Sequence, residues 1–346
     1  MTAQPQRATA QTTAQPARPA FGTVLASHMA TATYRDGRWS EADLKPVAAI
    51  ELSPAAHVLH YASTCFEGFK AFRHADGSIH TFRMDRHIQR MRQSARALVL
   101  PEPDAAQLAQ MIRSVIARCR DAVPEAPGAL YLRPILFGTT PNIGAAATPA
   151  SEALLMVLAS PVWDYFAGGM KPLRILVDDQ NTRSAAQMGM VKTGGNYAAA
   201  MGPTLRARAQ YQVDQVLFCP GGQVQETGAA NFLLIRDAEL MTRELDSTFL
   251  HGVTRDSLLV LARDRGFKVS ERLFDVTEML EWVKSGEAAL SGTAAVLAGV
   301  GTLIYRGTEH RVAGGDVGPH TRALRAQLVA IQQGEAPDRH AWLERV

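Results

Sequence analysis

Lysine is scarce in this chain of 346 residues. Six of its 36 Lys and Arg residues are lysines, at 45, 70, 171, 192, 268 and 284, so each can be weighed for chemistry singly. Lys45 and Lys171 precede prolines in loops, Lys268 opens a strand, and Lys284 ends a helix, where a cation suits the helix dipole. Two lysines stay in competition. Lys70 lies inside the apolar run FEGFKAF from Phe66, and Lys192 stands in MGMVKTGGNYAAAM with no other charge between Arg183 and Arg206. An uncharged setting lowers the pKa of an amine and provides the free base that attacks a carbonyl carbon. Small residues on both sides let a bulky group approach Lys192. The bland alternative is a stem packed on the surface with its head in water.

A carboxylate in an equally neutral setting, Glu226, lies in PGGQVQETGAANFLLI between a turn at 220–222 and a strand from Phe232 to Ile235. Such a group can keep a pyridine nitrogen protonated, the condition that makes pyridoxal phosphate an electron sink. On its own it reads as a solvated turn acid. Helix starts supply the third element. FLHGVT from Phe249 leads into the helix RDSLLVLARDRG; Gly252 permits close backbone approach, and the free N–H groups of a first turn favour a dianion. Thr254 is equally explicable as a plain N-cap. The small-residue corner SGTAA from Ser291 offers N–H groups and a hydroxyl for a phosphate or a carboxylate.

Other chemistries find less support. Gly299-Val300-Gly301 begins like a nucleotide fingerprint but lacks the third glycine and runs into strand-like Leu303-Ile304. There is no G-x-S-x-G elbow, and His57 and His60 read as chance neighbours, not as a metal pair. Cys65, Cys119 and Cys219 form no C-x-x-C and fit reduced thiols in a cytoplasmic protein. A net charge of +3, dispersed along the chain, excludes a nucleic-acid footprint, and no apolar run of about 18 residues predicts a membrane span, so a soluble chain is expected.

The elements that must position these groups alternate between strand and helix from Thr33 onward. Residues 1–21, rich in Ala, Gln, Thr and Pro, are expected to form a disordered tail. Phe69–Phe72 and Ile79–Phe82 flank Asp76-Gly77-Ser78 as a hairpin. Met84, Ile88, Met91, Ala95 and Leu98 then mark one face of a helix. A second helix is expected from Ala105 to Arg120, and strands at Leu130–Phe137 and Ala153–Leu158. Residues 162–172 read as a connection between a first unit at 22–161 and a second at 173–346. The second unit carries strands at Leu173–Val177, Val213–Cys219, Phe232–Ile235, Lys268–Leu273 and Ala288–Leu290. Helices near 197–210, 254–265, 277–284 and 320–333 interleave with them. The class expected is α+β or mixed α/β.

Seven blocks in order carry a resemblance: HYASTCFEGFKAFR from His60, FRMDRHIQRMRQSA from Phe82, LYLRPILFG from Leu130, VKTGGNYA from Val191, QETGAANF from Gln225, LHGVTRD from Leu250 and SGTAA from Ser291. Together they resemble the class IV aminotransferases, and among these the branched-chain-amino-acid aminotransferases, from about residue 28 to the C-terminus. The resemblance implies the two-domain fold type IV architecture, with pyridoxal 5'-phosphate in the cleft between the domains. It makes Lys192 the lysine that bonds the cofactor and shuttles the proton at the substrate Cα. Glu226 would pair with the pyridine nitrogen and Tyr197 with the phenolic oxygen. Arg90, Val253, Thr254 and Thr293 would bind the phosphate, although the apolar stripe of its helix places Arg90 on a solvated side. Tyr131 and the N–H groups of Thr293 and Ala294 would take the α-carboxylate. Phe66, Tyr61, Tyr165 and Tyr197 would line the side-chain pocket, with Arg133 for the distal carboxylate of glutamate.

The resemblance further implies ping-pong transfer between leucine, isoleucine or valine and 2-oxoglutarate. It implies a homodimer or higher homo-oligomer in which the loop around Pro141-Asn142-Ile143-Gly144 reaches the neighbouring pocket. No metal is implied. A D-amino-acid aminotransferase or an aminodeoxychorismate lyase shares the lysine and glutamate; Tyr61, Tyr131, Arg133 and Tyr165 weigh against both. His251 stands where the family commonly has proline, and Ala230 and Val296 where it commonly has glutamate.

Overall fold

The computed structural model describes residues 18–164 and 169–346. Residues 1–17 of the expected tail, and Tyr165 in the expected connection, lie outside them. The chain enters its first sheet earlier than the sequence suggests, through β1 (His28–Arg35), β2 (Arg38–Trp39) and β3 (Asp43–Pro46). Lys45 therefore lies on a strand and not in a loop. A short helix α1 (His57–Tyr61) leads to β4 (Thr64–Phe66) and to the hairpin of β5 (Phe69–Arg73) and β6 (Ile79–Phe82). Gly77 takes φ 78° in that turn, a conformation that favours glycine. Helices α2 (Met84–Ala97) and α3 (Ala105–Arg118) follow, then the long strands β7 (Ala129–Gly138) and β8 (Ala153–Val162).

The second half starts with β9 (Leu173–Asp178), α4 (Gly194–Tyr211) and β10 (Gln215–Phe218). It continues through β11 (Asn231–Arg236), β12 (Glu239–Thr242), α5 (Val253–Asp264), β13 (Lys268–Glu271) and α6 (Val276–Trp282). The hairpin of β14 (Glu287–Gly292) and β15 (Val296–Tyr305) comes next, then β16 (Thr308–Arg311), α7 (Pro319–Gln332) and β17 (Leu343–Arg345).

Two sheets result. The first is antiparallel throughout, ordered β17-β6-β5-β7-β8-β1-β2, with β3 against β1 and β4 against β7. The second is mixed, ordered β10-β9-β15-β14-β11-β12-β13 with β16 on β15; its parallel pairs are β9 with β10, β9 with β15, and β12 with β13. The last strand, β17, pairs with β6, so the C-terminal segment returns to the first sheet although the sequence assigns residues 173–346 to one unit. Gly299 and Gly301 are packing positions: a Cβ on the first would lie 2.6 Å from Val317 Cγ1 and on the second 2.5 Å from Pro172 Cβ.

Helices α2 and α3 cover the first sheet with Met84, Ile88, Met91, Leu108, Ile112 and Ile116. The two halves share one apolar cluster, in which Phe72 and Val162 from the first meet Leu233, Leu258 and Leu261, together with Leu324 and Leu328 of α7, from the second. A joint core of this kind fixes each sheet against the other and so fixes the cavity between them.

Candidate active site

A cavity of about 290 Å³ opens between the two halves. Lys192, Tyr197, Glu226, Arg90, Val253, Thr254, Phe66, Tyr131, Arg133, Thr293 and Ala294 all line it. Lys192 precedes α4, and its backbone is tied to the first half twice: its N–H donates to Ser94 Oγ at 3.0 Å, and its carbonyl accepts from Phe66 N at 3.0 Å. Its Nζ donates to Tyr197 OH at 2.8 Å and lies 5.0 Å from the centre of the Phe66 ring. The five-residue step from Lys192 to Tyr197 spans the start of α4, where Asn196 donates to the carbonyls of Met188 and Val191 and fixes the turn.

Glu226 is buried. Its Oε1 accepts from Leu250 N at 2.8 Å and lies 2.7 Å from Arg183 Nε, while Oε2 accepts from Asn231 Nδ2 at 3.0 Å. Burial pushes its carboxyl up to about 7, against the opposing pull of Arg183, the Leu250 N–H, Lys192 and Arg90. A carboxyl so placed exchanges a proton readily with a basic ring nitrogen.

Arg90 is buried rather than solvated. His87, Arg90 and Ser94 form a second buried row of α2 beside the apolar row, at i, i+3 and i+7. The periodicity reading failed because it allowed α2 only one packed face. Arg90 donates from Nε and Nη2 to the two carboxylate oxygens of Glu67, at 2.6 and 2.9 Å, and from Nη1 to His251 O at 2.9 Å. Burial alone would raise the Glu67 carboxyl; Arg90 and His87 outweigh it and hold the group well below the usual carboxylate range. This forked pairing fixes the guanidinium plane beside the start of α5. There Gly252 is the N-cap, and Thr254 is a first-turn residue, not the cap; the helix start has no side-chain capping bond. A Cβ on Gly252 would come within 2.0 Å of Asn231 Oδ1.

On β7, Tyr131 and Arg133 alternate with the buried Leu130 and Leu132, which puts both polar side chains on the cavity face. Arg133 donates from Nη2 to Tyr131 OH at 2.9 Å and lies 4.6 Å above the Phe66 ring; its Nε has no hydrogen-bond partner among the described residues. Gly68 makes room for Tyr131, since a Cβ there would sit 1.8 Å from the tyrosine OH. Phe21, assigned by sequence to the tail, packs edge-on against Tyr131 with 4.9 Å between ring centres and lines the cavity. Thr293 and Ala294 form the tip of the β14–β15 hairpin on the opposite wall.

Tyr61 is not brought into this cavity. It ends α1, packs between His57 and His60, and donates from its OH to Ile143 O. Glu67, His87, Arg183, Asn231 and Gly68 were not singled out from sequence. Glu67 carries the signal that drew attention to Glu226, a carboxylate among apolar residues, and Arg183 bounds the neutral stretch around Lys192.

Amine, phenol, carboxylate, guanidinium and an uncapped helix start thus share one space. This donor set fits a phosphorylated pyridine aldehyde: an amine to bond the aldehyde, an acid for the ring nitrogen, and cationic and N–H donors for the phosphate.

Comparison with known proteins agrees with that chemistry. The family model described as amino-transferase class IV matches residues 64–302. A branched-chain-amino-acid aminotransferase of Mycobacterium tuberculosis is 40% identical over 342 residues, covering 95% of this chain and 92% of its own length. A probable branched-chain-amino-acid aminotransferase of Streptomyces coelicolor is 38% identical over 337 residues, covering 94% and 92%. Among solved structures, the T.th. branched-chain amino acid aminotransferase with pyridoxamine 5'-phosphate superimposes with a TM-score of 0.75 at 25% identity, covering 91% of this chain and 98% of that one. The chain belongs to the class IV aminotransferases, and within them to the branched-chain-amino-acid aminotransferase family.

Proposed function

We propose that this protein is a pyridoxal-phosphate-dependent transaminase that passes the amino group between L-leucine, L-isoleucine or L-valine and 2-oxoglutarate by a ping-pong route. It works as a cytoplasmic homodimer or higher homo-oligomer. The observation that carries the reading is the convergence of Lys192, Tyr197, Glu226, Arg90 and the start of α5 on one cavity. Pyridoxal phosphate, when bound, supplies the electron sink that accepts the pair left on the substrate Cα.

The residues of the chain do the rest. Lys192 Nζ takes and returns the proton at Cα, and its contact with Tyr197 OH orients it for that work. Glu226 holds the proton at the pyridine nitrogen. Arg90, with the N–H groups of Val253 and Thr254, neutralises and anchors the phosphate, and Thr293 assists. Tyr131 and the N–H groups of Thr293 and Ala294 receive the α-carboxylate. Phe66, Tyr61, Tyr165 and Tyr197 enclose an aliphatic side chain, Tyr61 being supplied across the dimer. Arg133, over the Phe66 ring and with an Nε that has no partner among the described residues, presents its stem to leucine and a donor to the distal carboxylate of glutamate.

The test is glutamate formation from 2-oxoglutarate by the cofactor-loaded protein with each of the three L-amino acids, D-alanine and D-leucine. Turnover with the L-set and none with the D-pair is expected, and Lys192→Ala lowers it by at least about 10²- to 10⁴-fold, the scale of a lost acid–base group. Preference for D-alanine, or near-normal turnover in the lysine variant, would contradict the reading.

A further inference from the structure

The hairpin tip that forms one wall of the cavity is held from outside its own sheet. Lys70, on β5 of the first sheet, donates from Nζ to Ala294 O at 3.0 Å. Arg325, on α7, directs Nε to Ala295 O at 3.4 Å and donates from Nη2 to Asp164 Oδ1 at 2.9 Å. Leu297 N also returns to Ala295 O, at 2.8 Å, across Val296, a β-branched residue at φ 64°. That turn is the strained sense of the γ-turn, and it persists only where its surroundings over-determine it.

Lys70 is also the direct cross-strand partner of Tyr131, so their side chains share one face of the first sheet. One lysine therefore joins the strand that carries Tyr131 to the tip that carries Thr293 and Ala294. Those are the two halves of the proposed α-carboxylate site, and they come from different sheets. Holding the Ala294 carbonyl anchors the planar 294–295 peptide, which follows directly on the N–H groups of Thr293 and Ala294. Lys70 itself does not line the cavity. Burial lowers its ammonium to about 8, with Asp164 opposing and Arg325 assisting that shift, so the charge is held inside at a cost that an apolar stem would avoid.

We propose that Lys70 is a positioning residue for the α-carboxylate shared by every amino acid and 2-oxo acid substrate: it sets the 293–296 tip against Tyr131, leaving side-chain choice to the opposite end of the pocket. This inference rests on the transaminase reading above. It is tested on the cofactor-loaded full chain by spectral titration with L-leucine, L-glutamate and isopentylamine, the last being leucine without its carboxylate.

In Lys70→Met, Kd for L-leucine and L-glutamate should rise together by about tenfold or more, the order expected for a lost charge-assisted hydrogen bond, while Kd for isopentylamine stays unchanged. Lys70→Arg, which keeps a donor, should restore most of the difference, and matching thermal melts show that both variants are folded. Equal weakening of all three ligands, or of none, overturns the role of Lys70 while leaving the transaminase reading intact. A wild-type protein indifferent to L-leucine overturns both.

Discussion

Glu226 and Glu67 are both sealed from water, yet their carboxyls move in opposite directions. Glu67 faces a forked Arg90 and His87 and stays ionised. Glu226 faces Arg183 in poorer geometry, and burial lifts it to about 7. The unfolded value is about 4.3, so between these limits the folded chain keeps a proton that the unfolded chain has lost. Stability from this group is complete below the unfolded value and is lost as pH rises toward 7. The urea midpoint of the cofactor-free wild type should therefore fall relative to Glu226→Gln on going from about pH 4.5 to about pH 7.5. Parallel curves would show that Glu226 titrates normally. In the loaded enzyme the same substitution should cost far more in turnover than in folding.

At the scale of elements, the reading of the sequence succeeded where one period and one packed face sufficed. The hairpin over Gly77, the apolar row of α2, the extent of α3, and the helix after Gly252 were legible because local residues determine them. Arg90 was misplaced by periodicity because α2 packs on two sides, and only the family resemblance put it in the site. The strand β17 left no sequence signal: three residues gain their structure solely from β6, more than 250 positions earlier in the chain. Phe21 is hidden in the same way by the low-complexity residues before it. Gly252 shows how tightly an element is set. Its Cβ would strike Asn231, which bonds both Glu226 and Leu250 O. Gly252→Ala should weaken pyridoxal phosphate binding by about ten- to hundredfold through overpacking, as read by equilibrium dialysis. Unchanged affinity would show that the α5 start does not need this close approach.

For the whole molecule, the joint core of Phe72, Val162, Leu258 and Leu324 makes the cavity a property of both sheets at once. Tyr61 does not line it, and Tyr61 OH is bonded to the backbone of Ile143, whose side chain is 68% exposed. The proposed dimer accounts for that outward apolar group. Sedimentation should give a dimer or a multiple of one, and Ile143→Glu should shift it toward monomers with a matching loss of turnover. A fully active monomer at high dilution would remove the partner from the account. No helix of the described residues is long and apolar enough to cross a membrane. The most direct test is the visible absorption spectrum of the cofactor-loaded protein, before and after L-leucine is added with no oxo acid present. The account predicts a yellow band that bleaches with leucine and returns with 2-oxoglutarate, in wild type but not in Lys192→Ala. A band that leucine leaves untouched, or a protein that stays colourless when pyridoxal phosphate is supplied, would contradict it.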